Sequence, residues 1–245
     1  MHTLIEILFV HHDRQKAEAI AGGVEQMIRE EEEVFSRHLP ESPVAGLNMA
    51  VGSMKVGETL YFALELCEAM RKETKGYFDI AALSSFGERP AYKCIPSNHS
   101  VVRNSPEVML DFGGYAKGYA LEKARQMLSE AAENSALLNF GNSSVAAVGT
   151  HPFGEHWCIS PQRNPEMVIH LRDSALSISG NGLSGKSHIV NPIDGKTAVK
   201  NYDLGVTGKS ALLCEILSTA LYAAPESEYE KILASFSGYE AVKVY

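Results

Sequence analysis

This 245-residue chain is short of positive charge, of paired cysteines and of long apolar runs. Lysine and arginine number 22 against 30 acidic residues, a net charge of −8, and no basic run occurs. Nucleic acid and anionic membrane surfaces are therefore not expected partners. The four cysteines, Cys67, Cys94, Cys158 and Cys214, form no C-x-x-C pair, which argues against a zinc ribbon and a disulfide scaffold. Cys67 and Cys214 sit in helix-like apolar patterns and are expected as buried free thiols. No apolar run reaches the length of a membrane span, so no direct membrane segment is expected. Met1-His2-Thr3 leads straight into an apolar stretch, with neither a basic region nor a cleavage site. A cytoplasmic location is the expectation for the chain as it stands, and a periplasmic or membrane-anchored one where an upstream signal has been removed.

What is present is enough apolar sequence, 45%, for a sizeable core. The expectation is one domain over residues 1–245, or two intimately joined α/β halves. Leu4–Val10 reads as a strand. Ile20, Val24, Met27, Ile28 and Phe35 mark one face of a long helix, and Glu58–Lys75 forms a second, with Gly76 as its stop. The Glu30–Glu33 run reads as a solvated helix face. Ser36–Asn48 reads as a loop and Ser85–Ser105 as irregular, while Val108–Leu110 reads as a short buried strand. The second half holds short strands at Ala136–Phe140, Ser144–Val148, His156–Ser160, Met167–Leu171 and Ala175–Ile178. Helices at Ser210–Ala223 and Ser227–Phe236 and a strand at Glu240–Val244 complete the chain. The fold class is α+β, a mostly antiparallel sheet with flanking helices.

Asp111-Phe112-Gly113-Gly114-Tyr115-Ala116-Lys117-Gly118 is the most informative stretch. A glycine-rich turn entering a helix lets an anionic ligand approach backbone N–H groups, and Lys117 adds a positive charge; the same letters also suit a plain turn. Tyr77-Phe78-Asp79 suits the wall of a planar-ring pocket, or a core phenylalanine beside a capping aspartate. Ser179-Gly180-Asn181-Gly182 closes a strand with small donors, as a phosphate nest or an ordinary turn. His188 is the histidine most tightly framed by turn residues, suited to general-base work or to a structural role. Glu215 and Thr219 stand at i and i+4 on one helix, an oxygen pair suited to a hard cation such as Mg²⁺ or to a simple mutual contact. The apolar surroundings of Glu215 call for a paired or ligated carboxylate.

These segments, in this order, resemble the ApbE family, the FAD:protein FMN transferases. Asp111–Glu122 is similar to its D-x-G-G-x-A-K-G-Y-A-x-D signature, and Gly76–Ile80 to its G-x-F-D segment. Phe35-Ser36 through Ser42 to Leu47-Asn48 resembles its S…S…L-N loop. Ser179-Gly180-Asn181 and His188-Ile189-Val190-Asn191-Pro192 resemble its T-S-G and H-I-x-D-P motifs. Val206-Thr207 and Glu215–Leu221 resemble V-T-V and A-D-A-L-A-T-A-L. The resemblance implies an ApbE-like fold, FAD as substrate, Mg²⁺, and transfer of FMN to a threonine hydroxyl of an acceptor flavoprotein with release of AMP. It implies metal ligands at Ala116, Glu215 and Thr219, and a base at His188. It further implies Lys117 near the phosphates as a catalytic group beside His188, a flavin site bordered by Tyr77, Phe78 and Asp79, and cofactor contacts from Lys117, Ser179, Gly180 and His188.

The chain departs from that pattern at three positions. Glu215 replaces an aspartate, Asn191 replaces the aspartate of H-I-x-D-P, and Asn142 stands where a glycine is usual. Two alternatives stay open beside the transferase: a flavin- or nucleotide-binding homologue without transfer activity, and a Mg²⁺-dependent FAD pyrophosphatase.

Overall fold

The computed structural model describes residues 4–10, 13–84, 90–131, 134–181 and 189–245. In chain order the elements are β1 (Ile5–Phe9), α1 (Arg14–Phe35), α2 (Pro43–Met49), β2 (Ser53–Lys55), α3 (Glu58–Glu73), β3 (Tyr92–Ile95), β4 (Ser100–Arg103) and α4 (Ala116–Glu130). There follow β5 (Ser135–Phe140), β6 (Ser144–Gly149), β7 (Trp157–Ile159), β8 (Ile169–Leu171), β9 (Ala175–Ser179), β10 (Asp203–Gly208), α5 (Ala211–Ala223), α6 (Tyr229–Leu233) and β11 (Glu240–Val244). A six-stranded sheet runs in the order β1-β5-β6-β9-β10-β11, with every pairing antiparallel. Two smaller antiparallel sheets, β2-β4-β3 and β7-β8, accompany it. The α+β expectation is met.

Helix α5 is the structural axis. Ser210 caps it, its hydroxyl accepting the Leu213 N–H. Cys214, Leu217 and Leu221 face a core built on the large sheet, with Leu138, Phe140 and Leu204. Ile216 and Ala220 face a second core, with Phe35, Leu64, Phe78, Phe112 and Tyr115. A helix apolar on both sides must be buried between two layers. Each fully buried leucine contributes roughly 1.5–3 kcal/mol. On the opposite face of the sheet, Trp157 and Leu171 from the β7–β8 hairpin cover Val145, Ala147 and Leu176. No helix among the described residues is long and apolar enough to cross a membrane.

Cys67 and Cys214 are buried free thiols, and burial raises both above the ordinary thiol range, so neither is a ready thiolate. Four other local expectations are corrected. Residues 36–48 are not all loop: Ser42 accepts the Ala45 N–H, Pro43 starts the first turn, and α2 follows. Residues 85–105 contain the β3–β4 hairpin. Val108–Leu110 is not a strand. Its Leu110 N–H donates to Asn48 Oδ1 (2.8 Å) and its carbonyl accepts from Asn48 Nδ2 (2.9 Å), so a buried side chain replaces a partner strand. Finally, Glu31 is buried against α4 and paired with Lys123, so the glutamate run is not uniformly solvated.

Candidate active site

The turn before α4 is held from both sides. Asp111 Oδ1 accepts the Gly113 N–H (2.8 Å), and Oδ2 pairs with Arg37 (2.8 Å). Phe35, Phe112, Tyr115 and Tyr119 pack with ring centroids 5.1 to 5.6 Å apart and fix the entry of the helix. Lys117 lies in the first turn of α4. Its ammonium donates to Ser143 Oγ (2.9 Å), in the β5–β6 turn, and pairs with Glu215 Oε1 (3.0 Å) on α5.

Glu215 is almost fully buried. Its second oxygen, Oε2, accepts from Ser144 Oγ and Ser177 Oγ, each at 2.6 Å. Ser218 lies 3.2 Å from Ser177 and 2.9 Å from Ser179, and Thr219 Oγ1 lies 3.5 Å from Ser179 Oγ. A ladder of hydroxyls thus surrounds the buried Glu215 carboxylate and its half-buried Lys117 partner, which meets the requirement that a buried charge be paired and hydrogen-bonded.

Gly118 makes the pairing geometrically possible. A Cβ there would sit 2.5 Å from Glu215 Cβ and 2.9 Å from the Ala211 carbonyl. Gly118→Ala tests which of two effects wins. Helix propensity alone favours alanine by about 1 kcal/mol, whereas overpacking disfavours it by about 1–3 kcal/mol. Because one contact is backbone, a net loss is expected, read as a lower urea midpoint with unchanged slope. A higher midpoint would show that α4 and α5 separate freely.

The pair opens onto a cavity of about 860 Å³, within the range of cofactor sites. Tyr77, Phe78 and Asp79 form one wall; Gly113, Gly114 and Lys117 form another; Gly141–Ser143, Ser179–Asn181, Glu215 and Thr219 also line it. Phe78 is a core residue and Asp79 Oδ1 accepts the Ala81 N–H (2.8 Å), yet both border the cavity. Burial raises the Tyr77 phenol above its ordinary range. Gly180 abuts Asp203, whose Oδ1 would lie 1.9 Å from an added Cβ. That same oxygen accepts the Asn181 N–H (3.1 Å) and pairs with Arg163 (3.0 Å). Arg163 and Asp203 line the cavity and carry no sequence motif, so sequence reading missed them. His188 and Gly182 lie outside the described residues; Ile189, the next residue after His188, lines the cavity.

Residues 1–243 match the ApbE family model. The chain belongs to the ApbE family. It is 26% identical over 136 residues to the FAD:protein FMN transferase of Chlamydia muridarum (strain MoPn / Nigg), covering 51% of this chain and 42% of that protein. It is 32% identical over 148 residues to the FAD:protein FMN transferase of Rhodobacter capsulatus, covering 55% of this chain and 28% of that protein. The match thus spans less than half the length of either of these two relatives. The crystal structure of the Pseudomonas stutzeri flavinyl transferase ApbE, apo form, superposes with a TM-score of 0.80 at 18% identity, covering 99% of this chain and 95% of that one. The ApbE fold is therefore shared.

Two departures from the ApbE pattern have local explanations. Asn142, at φ 57°, sits in the tight turn after β5, a conformation asparagine tolerates. Its side chain accepts from Asn139 Nδ2 (2.9 Å), which ties it back to the strand. Asn191 Oδ1 accepts the Ile193 N–H (2.9 Å), an Asx turn that an aspartate would make equally well.

The metal that the ApbE resemblance implies finds an awkward host. Glu215 and Thr219 share the cavity face of α5, but Ala116 is not among the residues lining the cavity. Among the described residues no group of three or more His, Cys, Asp or Glu side chains could hold a metal ion. Both Glu215 oxygens already have partners, one of them an ammonium. As arranged, these residues do not fit a divalent ion.

Proposed function

We propose that this chain is an FAD:protein FMN transferase. The observation that supports it is convergence: residues far apart in sequence, Tyr77–Asp79, Gly113, Gly114 and Lys117, Ser179–Asn181, and Glu215 with Thr219, border one cavity of dinucleotide scale, in a chain whose family match runs through residues 1–243. The aromatic wall suits the isoalloxazine ring, and the Lys117 ammonium suits the pyrophosphate. In the reaction the acceptor threonine Oγ forms a bond to the phosphorus of the FMN half. The bond from that phosphorus to the bridging oxygen breaks, and AMP leaves with the electron pair. The hydroxyl proton passes to His188, the base assigned by motif position. No step is routed through Mg²⁺, since the Glu215 carboxylate is already filled.

The test is to incubate the protein with FAD and a flavoprotein domain bearing the acceptor threonine, with and without Mg²⁺. Acceptor mass and AMP are then measured. The expected result is an acceptor heavier by one FMN with matching AMP. FMN and AMP beside an unmodified acceptor would instead indicate FAD pyrophosphatase activity. Bound but intact FAD would indicate a binding homologue. Either result overturns the transferase reading.

A further inference from the structure

We propose that the Lys117 ammonium is this protein's resident cation, holding the position beside Glu215 that a divalent ion would need, so that the flavin dinucleotide binds without a metal. The ligand in this statement rests on the function proposed above; the exclusion of the ion does not. Glu215 is the one carboxylate among the implied ligands. Its Oε1 carries Lys117 at 3.0 Å, and its Oε2 carries two serine hydroxyls at 2.6 Å each. A Mg²⁺ ion keeps several waters, but it is usually anchored by one or two carboxylates beside substrate phosphate oxygens. Of the implied side-chain ligands, that leaves the ion one neutral hydroxyl, Thr219, beside an ammonium that repels it.

The ammonium is also built in rather than adventitious. Lys117 is fixed by its place in the first turn of α4, and Glu215 by α5, with Gly118 bringing the two helices into contact. The side chains of the pair are 19% and 5% exposed, so water screens the pair poorly. An ammonium has three N–H donors. Two go to Ser143 Oγ and Glu215 Oε1. Among the described residues the third has no partner, and Lys117 lines the cavity, where a phosphate oxygen could take it. One cation then serves two anions: the protein's carboxylate and the ligand's pyrophosphate.

Two measurements on EDTA-treated protein test this. In the first, Mn²⁺ is titrated without nucleotide and its free signal is followed by electron paramagnetic resonance. Wild type is expected to leave Mn²⁺ free, whereas Lys117→Met exposes Glu215 and gains a site that Lys117→Met/Glu215→Gln lacks. In the second, FAD fluorescence quenching gives Kd. Wild type is expected to change by less than about twofold between EDTA and Mg²⁺. Lys117→Met is expected to weaken by about 10- to 100-fold in EDTA, the worth of a charge-assisted hydrogen bond, while Lys117→Arg stays close to wild type. Thermal melts establish that each variant is folded. A stoichiometric Mn²⁺ site in wild type, or FAD binding abolished by EDTA in wild type, overturns the proposal. Absence of FAD binding under every condition overturns the ligand assignment instead, and the Mn²⁺ titration then still decides whether Lys117 excludes the ion.

Discussion

Glu215→Ala is expected to lower the unfolding free energy by about 3–5 kcal/mol, the usual loss when one partner of a buried ion pair is removed. For a chain of this length that corresponds to a melting temperature lower by roughly 6–20 °C. Most of the loss comes from what remains behind. Lys117 keeps its charge with only Ser143 as a described partner, while Ser144 and Ser177 lose the carboxylate oxygen they share. An unsatisfied buried group forfeits its full desolvation energy, which exceeds the net worth of the bond it made.

The magnitude can be separated from simple cavity formation. Glu215→Gln preserves volume and gives the serines an amide oxygen, so it should recover part of the loss. Lys117→Met placed in the Glu215→Ala background should recover more, because an apolar side chain needs no counter-charge. A double-mutant cycle measures that coupling. If the single and double variants are equally unstable, the ion pair contributes nothing and the helix crossing at Gly118 alone carries the site.

The elements legible in the sequence are those whose periodicity is local. Helices α1, α3 and α5 show apolar faces at helical spacing, and the hairpin strands are punctuated by turn residues. What was hidden depends on distant partners. Val108–Leu110 reads as a strand because it is extended and apolar, yet its partner is Asn48, 62 residues away. Strand β10 is broken up by Gly205 and Gly208, which weaken a β pattern even in a central strand. Helix α2 was masked by Ser42, Pro43 and Gly46, residues that equally mark turns. At the site, the Lys117 turn was legible from its glycines, and the burial of Glu215 called for a partner. That Lys117 is that partner could not be read, since it depends on how α4 crosses α5. Arg163 and Asp203 were invisible for the same reason: their pairing exists only once the β7–β8 loop, which carries Arg163, lies beside the start of β10.

His188→Ala is expected to reduce turnover by about 10²–10⁴-fold, the span a positioned general base supplies. A threonine hydroxyl is a poor nucleophile at neutral pH, so losing its proton acceptor strikes the chemical step directly. The chain just beyond His188 is well anchored. Ile189 is buried and its carbonyl accepts the Ala198 N–H (2.8 Å). Asn191 N–H donates to the Lys196 carbonyl, and the Gly195 N–H donates to the Asn191 carbonyl, each at 2.8 Å. These are main-chain bonds that an alanine at 188 does not remove, and a thermal melt establishes that the variant is folded. FAD should then bind with a Kd close to wild type while acceptor flavinylation collapses, a split that marks a group acting on the proton rather than on the nucleotide. Added imidazole should restore part of the rate. A variant that loses FAD affinity and rate together would make His188 a binding group, and one that turns over at the wild-type rate would move the base to another residue.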